Sequence, residues 1–175
     1  MLRAFVVAGC VTLLVDPQVI PRNKQPDVRY VPTPQNVVDC MLALARVTSA
    51  DIVYDLGSGD GRIPITAARR YGAIGVGIEI DSFYVRQAVA NARDAGVEGR
   101  VRFLNQDLFE ADIREATVVT LFLLPQVNER LAPKLRRDLR PGTRVVSHQY
   151  RMGDDWPPEE SEDVGGLTIY LWTIK

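Results

Sequence analysis

The chain has 175 residues, enough for one domain with a sizeable core, and its 46% hydrophobic and 25% charged content is ordinary for a globular protein. A net charge of -1 gives no overall field to draw it to nucleic acid or to an anionic membrane. Cys10 and Cys40 stand far apart and His148 is the single histidine, so neither a disulfide framework nor a metal site is expected.

Arg3 precedes an apolar run over residues 4–15, closed by Asp16-Pro17. The run suits a short secretory signal or an anchor, and equally a packed or unstructured extension. At roughly 12 residues it falls short of the ~20 that span a bilayer. The expected location is the cytoplasm, with membrane association through this segment left open. Residues 1–29 are read as this segment plus a linker, and 30–175 as the domain.

The domain opens on Tyr30-Val-Pro-Thr-Pro34. Thr33 is expected as the N-cap of a helix with Pro34 in its first turn. Val37, Val38, Met41, Leu42 and Ala45 recur at helical spacing on its inward face, with Cys40 near that face as a small core residue. A buried strand over 51–56 then runs into Gly57-Ser-Gly-Asp-Gly61, followed by an alanine-rich helix over 62–71. A strand over 74–79 leads to a helix over 81–95 that presents Val85, Ala88, Val89 and Ala92 on one face, with Gly96 as its C-cap. A strand over 101–104 closes at Asn105-Gln-Asp107. The next, 117–124, is nearly all apolar and so buried on both faces. A helix over 128–139 stops at Pro141-Gly142. Two last strands, 143–150 and 167–174, are joined by a loop with six carboxylates between Asp154 and Asp163. Alternating strands and helices predict a doubly wound, mostly parallel α/β sheet. The last strand lacks a crossover helix and should run antiparallel.

Ligands of such sheets bind beyond the carboxyl ends of the strands. Gly57, Ser58, Gly59 and Gly61 there allow a sharp turn and close approach of a ligand, and are expected to leave N–H groups free at a helix start. Asp55 at the strand end repels phosphate but suits an ammonium or a hydroxyl. Glu79 ends the next strand about 20 residues after the turn, the spacing at which an acid reaches ribose hydroxyls. Asp107 can accept from an adenine amino group. NAD is the runner-up ligand, but Arg62 occupies the third glycine position of its fingerprint and Asp55 would face its pyrophosphate.

With this turn and these three acids, the chain resembles the class I, seven-strand S-adenosylmethionine-dependent methyltransferases over roughly residues 30–174. The resemblance implies a seven-stranded, Rossmann-like methyltransferase fold with S-adenosylmethionine as cofactor. Asp55-Leu-Gly-Ser-Gly-Asp-Gly61 looks like the first motif of those enzymes, Glu79 like their ribose acid and Asp107 like their adenine-side acid. More narrowly, Tyr30-Val-Pro-Thr-Pro34, the glycine turn through Arg62, Val127-Asn128 and the Trp156-Pro157 loop are similar to the small protein-lysine methyltransferases of mitochondria and their bacterial relatives. That family modifies membrane proteins such as the ATP synthase c-subunit and the adenine nucleotide translocase. Tyr30-Val-Pro-Thr33 is also similar to a segment of the non-SET histone lysine methyltransferase. The resemblance implies that this segment closes over the methionine end of the cofactor, through Tyr30 and Thr33.

The implied activity is methyl transfer, with a protein lysine as the leading acceptor. A small-molecule methyltransferase and a non-catalytic cofactor-binding module are the alternatives. Leu124-Pro-Gln-Val-Asn128 carries neither the carboxylate nor the aromatic of the Asn- or Asp-Pro-Pro-Tyr motif, which argues against adenine, cytosine or glutamine-amide acceptors. Leu123, Leu124 and Pro125 are expected to wall an apolar channel that lowers the amine pKa, with Gln126 or Asn128 orienting the amine. No general base stands out. His148 is expected as a core residue rather than a base. Arg130, Lys134 and Arg137 share one stripe, expected as a solvated face or as a dock for an acidic membrane surface. The acidic loop is expected beside the cleft, as a solvated loop or an attractor of basic substrates.

Overall fold

The computed structural model describes residues 28–175, so the expectations for the N-terminal apolar run lie outside the described residues. Helix α1 (Gln35–Leu44) precedes strand β1 (Ile52–Leu56). Helix α2 (Arg62–Tyr71), strand β2 (Ile74–Glu79), helix α3 (Ser82–Asp94) and strand β3 (Val101–Asn105) follow. Strand β4 (Val118–Leu121), helix α4 (Pro125–Asp138), strand β5 (Arg144–His148), strand β6 (Glu160–Asp163) and strand β7 (Thr168–Thr173) complete the order.

The sheet order is β3-β2-β1-β4-β5-β7-β6. The first five strands are parallel, and β7 runs antiparallel to both β5 and β6. The chain therefore steps outward from β1 to β3, then returns to lay β4 on the other side of β1. That reversal opens a crevice over the carboxyl ends of β1 and β4. Alternate side chains of the central strands feed two apolar layers. Val53, Val118 and Val146 pack with Val37, Met41 and Leu42 of α1 and Ile63 and Ala67 of α2. Tyr54, Val119 and Val145 pack on the opposite face with Leu131 and Leu135 of α4.

Local chemistry moved several boundaries. Thr33 does not cap α1: the helix starts at Gln35 with Pro34 at the cap position and no side-chain cap bond. Helix α4 starts at Pro125, three residues before the apolar periodicity begins, because proline suits a first helical position whose N–H would be unbonded anyway. On α3, Ala88 and Ala92 are buried but Val89 is exposed, so its buried stripe is narrower than the sequence suggested. The acidic stretch conceals a strand. All four residues of β6 are exposed, which erases the alternation that marks a strand. Upstream of it the chain packs on α4 and β7: the Arg136 guanidinium lies 4.6 Å from the centre of the Trp156 ring, and the Trp172 indole N–H donates to the Trp156 carbonyl at 2.8 Å.

The basic stripe of α4 is also not a uniform solvated face. Lys134 is buried, with its ammonium donating to the Ala111 carbonyl at 2.7 Å and to Asp138 at 2.6 Å. The Arg130 guanidinium lies 4.4 Å from the centre of the Phe109 ring, and Arg137 pairs with Asp138.

Candidate active site

A cavity of about 400 Å³ occupies the crevice over β1 and β4. Parallel register places Asp55 of β1 level with Gly77 of β2 and with Thr120 of β4. Asp55 is 4% exposed and accepts from the Thr120 hydroxyl at 2.8 Å. Burial pushes its carboxyl up to about 7; the Thr120 bond opposes that, and the charges of Glu79 and Asp60 add to it. Glu79 ends β2 with both oxygens engaged. One accepts from the Gly59 N–H at 2.9 Å, the other from the Asp81 N–H at 2.9 Å. This fixes the carboxylate at the mouth and leaves further lone pairs for a diol. Asp107 accepts from the Phe109 N–H at 2.9 Å.

The cavity gathers Tyr30, Thr33, Asp55, Gly57, Ser58, Glu79 and Asp107 on its lining. Gly59 and Gly61 lie behind it, because side chains fill the space over them. A Cβ at Gly59 would stand 2.3 Å from the Tyr30 ring, and one at Gly61 would stand 2.6 Å from Phe103. Four N–H groups of the turn are already engaged. Those of Gly57 and Ser58 donate to the Ile78 carbonyl, that of Gly59 to Glu79, and that of Gly61 to the Ser58 carbonyl. With these amides engaged the turn offers no pyrophosphate cradle, which weighs against the dinucleotide alternative.

Gln126 and Asn128 do not line the cavity. Gln126 is exposed on the first turn of α4. Asn128 is fully buried, and its amide nitrogen donates to the Ser147 hydroxyl at 3.3 Å and to the Tyr150 and Arg151 carbonyls at 3.2 Å. Of the expected apolar wall, Leu123 lines the cavity, joined by Phe122 and Val127, while Leu124 is 42% exposed. None of the six carboxylates of the acidic stretch lines it; Asp163 alone sits at a carboxyl strand end, at the far edge of the sheet.

Two lining residues were not expected in the site from the sequence. Arg62 grips Asp60 through Nε at 3.0 Å and Nη2 at 2.7 Å, and donates through Nη1 to the Thr33 carbonyl at 2.8 Å. Tyr84 stands with its ring centroid 4.2 Å from that of Tyr30. Their signal is spatial: the Asp-Gly-Arg spacing and a tyrosine in a first helical turn gain meaning only once the segment 28–33 is laid across them. His148 is 1% exposed, stacks 4.0 Å from the Phe122 ring, and has its Nδ1 at 3.4 Å from the Thr33 hydroxyl. Burial pushes its pKa down.

The profile of the ANTKMT methyltransferase domain matches residues 55–160, from the buried Asp55 to the start of β6. The chain belongs to this family. It is 51% identical over 154 residues to a protein-lysine N-methyltransferase of Saccharolobus islandicus (strain REY15A), covering 85% of this chain and 95% of that protein. It is 34% identical over 145 residues to the adenine nucleotide translocase lysine N-methyltransferase of Mus musculus, across 83% of this chain and 62% of the relative. Among solved structures, an RNA methyltransferase from Salinibacter ruber in complex with S-adenosyl-L-homocysteine superposes with a TM-score of 0.81 at 60% identity, covering 82% of this chain and 94% of that one.

The cofactor of this ANTKMT-family domain is S-adenosylmethionine, and the cavity suits it. Its lining brings the carboxyl groups of Asp55, Glu79 and Asp107, along with Asp60 and Asp81, together with the Ser58 hydroxyl, which is buried and has no hydrogen-bond partner. A ligand with an ammonium, a ribose diol and a base amino group supplies partners for such a set. The fold is the expected one, seven strands with the last antiparallel.

Proposed function

We propose that this ANTKMT-family domain transfers a methyl group from S-adenosylmethionine to a lysine amine of a protein. The observation that carries the reading is the side of the cavity beyond Asp55, where Phe122, Leu123 and Val127 form an apolar wall with no carboxylate at the motif after β4. When bound, the cofactor supplies an electrophilic methyl group on a sulfonium. The chain's residues hold and shield. Glu79 receives the ribose hydroxyls, Asp107 the base amino group, and Asp55 the cofactor ammonium. The apolar wall excludes water and desolvates the incoming ammonium, which favours the neutral, nucleophilic amine. Alignment then supplies most of the barrier reduction. Asn128 holds the carboxyl end of β5 in place from behind the wall, and Gln126 is left to contact an acceptor outside the cavity. The lysine acceptor is supported by the names of the Saccharolobus and mouse relatives. The catalytic unit is residues 30–175, acting in the cytoplasm. Among the described residues no helix is long and apolar enough to cross a membrane.

The name of the Salinibacter structure favours a second reading, an RNA acceptor. Nucleic-acid binding draws chiefly on phosphate neutralisation by clustered basic charge, and a chain of net charge -1 has no excess of it. One experiment separates the two. The full chain is incubated with methyl-labelled S-adenosylmethionine and a cell extract from which its own activity has been deleted, and the product is split between protease and ribonuclease. Label lost to protease and recovered as methyl-lysine after hydrolysis supports the proposal. Label lost to ribonuclease, or found only in small molecules, overturns it.

A further inference from the structure

The segment 28–33 forms one wall of the cavity. All six of its residues line the cavity. Val31 is 59% exposed and Pro32 is exposed, while Val28 packs against the core and the Tyr30 ring covers Gly59. Tyr30 leans on Tyr84, with ring centroids 4.2 Å apart, and its hydroxyl bonds Asp60; the remaining fastening is polar and converges on Thr33, which is 4% exposed. From the side of the glycine turn, the Arg62 guanidinium holds the Thr33 carbonyl at 2.8 Å while its other two nitrogens grip Asp60. Asp60 is itself fixed, since its carbonyl accepts from the Asn91 amide at 2.9 Å. From the side of β5, His148 places Nδ1 3.4 Å from the Thr33 hydroxyl and is wedged against Phe122. The imidazole Nε2 is buried without a partner. One threonine thus joins the cofactor side of the cavity, at the glycine turn, to the acceptor side, at Phe122.

We infer that Arg62 and His148 are positioning residues that act together through Thr33, latching the segment 28–33 over the cavity. The inference rests on the cofactor reading above. Neither side chain alone determines where the segment sits. Arg62 fixes the main chain of Thr33 and His148 its side chain, so releasing either end loosens the wall at Thr33. The latch slows escape of the bound ligand and keeps the wall shut while the acceptor aligns.

The test measures association and dissociation of S-adenosylhomocysteine by stopped flow in the full chain, with hydrogen exchange of the peptide containing residues 28–33 as a second readout. Arg62→Ala and His148→Leu are each expected to speed dissociation about tenfold, the factor for losing one such bond, with association changed much less. Both should raise exchange in that peptide. The double variant should lose no more than the worse single variant, because both act on the same residue. His148→Asn keeps an amide near the Nδ1 position and should recover part of the loss, which a merely space-filling role for the ring would not give. Arg62→Lys, with the same expected direction, stands in if Arg62→Ala fails to fold. Losses that multiply in the double variant, unchanged dissociation in the single variants, or His148→Asn as poor as His148→Leu would overturn the latch. A wild-type chain that does not bind S-adenosylhomocysteine at all defeats the cofactor reading itself, a result distinct from any of these.

Discussion

Asp55 shows how one buried side chain sets the conditions under which the site works. Burial raises its carboxyl to about 7, so in the folded, ligand-free protein it is more than half protonated at any pH below that value. The unfolded chain ionises it near 3.9. Between those values the folded state holds the extra proton, so stability of the ligand-free protein falls as pH rises from about 4 to 7 and levels off above. Asp55→Asn removes that slope, and thermal melts across this window measure it. Ligand binding should run the other way. An ammonium beside Asp55 favours the carboxylate, so affinity for S-adenosylhomocysteine should rise with pH up to about 7 and then plateau, with proton release in calorimetry below the plateau. The same titration on Asp55→Asn should be flatter and weaker. A wild-type affinity that does not change across the window rules out the pairing of Asp55 with the ammonium.

At the scale of elements, the glycine turn is held by packing as much as by ligand. Gly61 has φ 79° and no room for a side chain, with Phe103 and Ala88 both within 2.8 Å of a Cβ placed there. Gly61→Ala should cost about 3 kcal/mol, combining the left-handed penalty with overpacking, and show it in chemical denaturation. On α4 the buried ammonium of Lys134 ties the helix to the Ala111 carbonyl. Lys134→Ala should lose about 1–3 kcal/mol of stability while leaving ligand affinity unchanged, since Lys134 does not line the cavity. The helices and central strands were legible because each buries one face or two: Val37, Val38, Met41, Leu42 and Ala45 are all fully buried, as their spacing required. Strand β6 was not, because an exposed edge strand has no buried face to mark it. The three acids were legible because strand ends and spacing are local. Arg62, Tyr84 and the engaged amides of the turn were not, because each depends on which distant segment folds against it.

At the scale of the molecule, the two ends of the sheet divide the labour. The carboxyl end carries the cavity, and the amino end carries a polar knot that closes the fold. There Arg144 of β5 donates to the Ala45 carbonyl at 2.6 Å and pairs with Asp51, which also accepts from the Thr117 hydroxyl at 2.7 Å and the Thr48 N–H at 2.7 Å. These bonds join the end of α1 to the starts of β1, β4 and β5, four pieces far apart in sequence. Burial alone would raise the Asp51 carboxyl, but its bonds to Thr117 and Thr48 and the charge of Arg144 outweigh it and hold it below its ordinary value. A depressed folded value means that its stabilisation is present above the unfolded pKa near 3.9 and fades as pH falls below it. Asp51→Asn breaks a largely buried pair and should cost about 3 kcal/mol at neutral pH. The gap from wild type should narrow in acid below about pH 4, as wild-type Asp51 takes up its proton. Affinity for S-adenosylhomocysteine, measured well below the melting temperature, should stay at the wild-type value, because the knot lies a strand length from the cavity. If Asp51→Asn instead weakens binding without lowering stability, the amino end shapes the site directly and the division between the two ends fails.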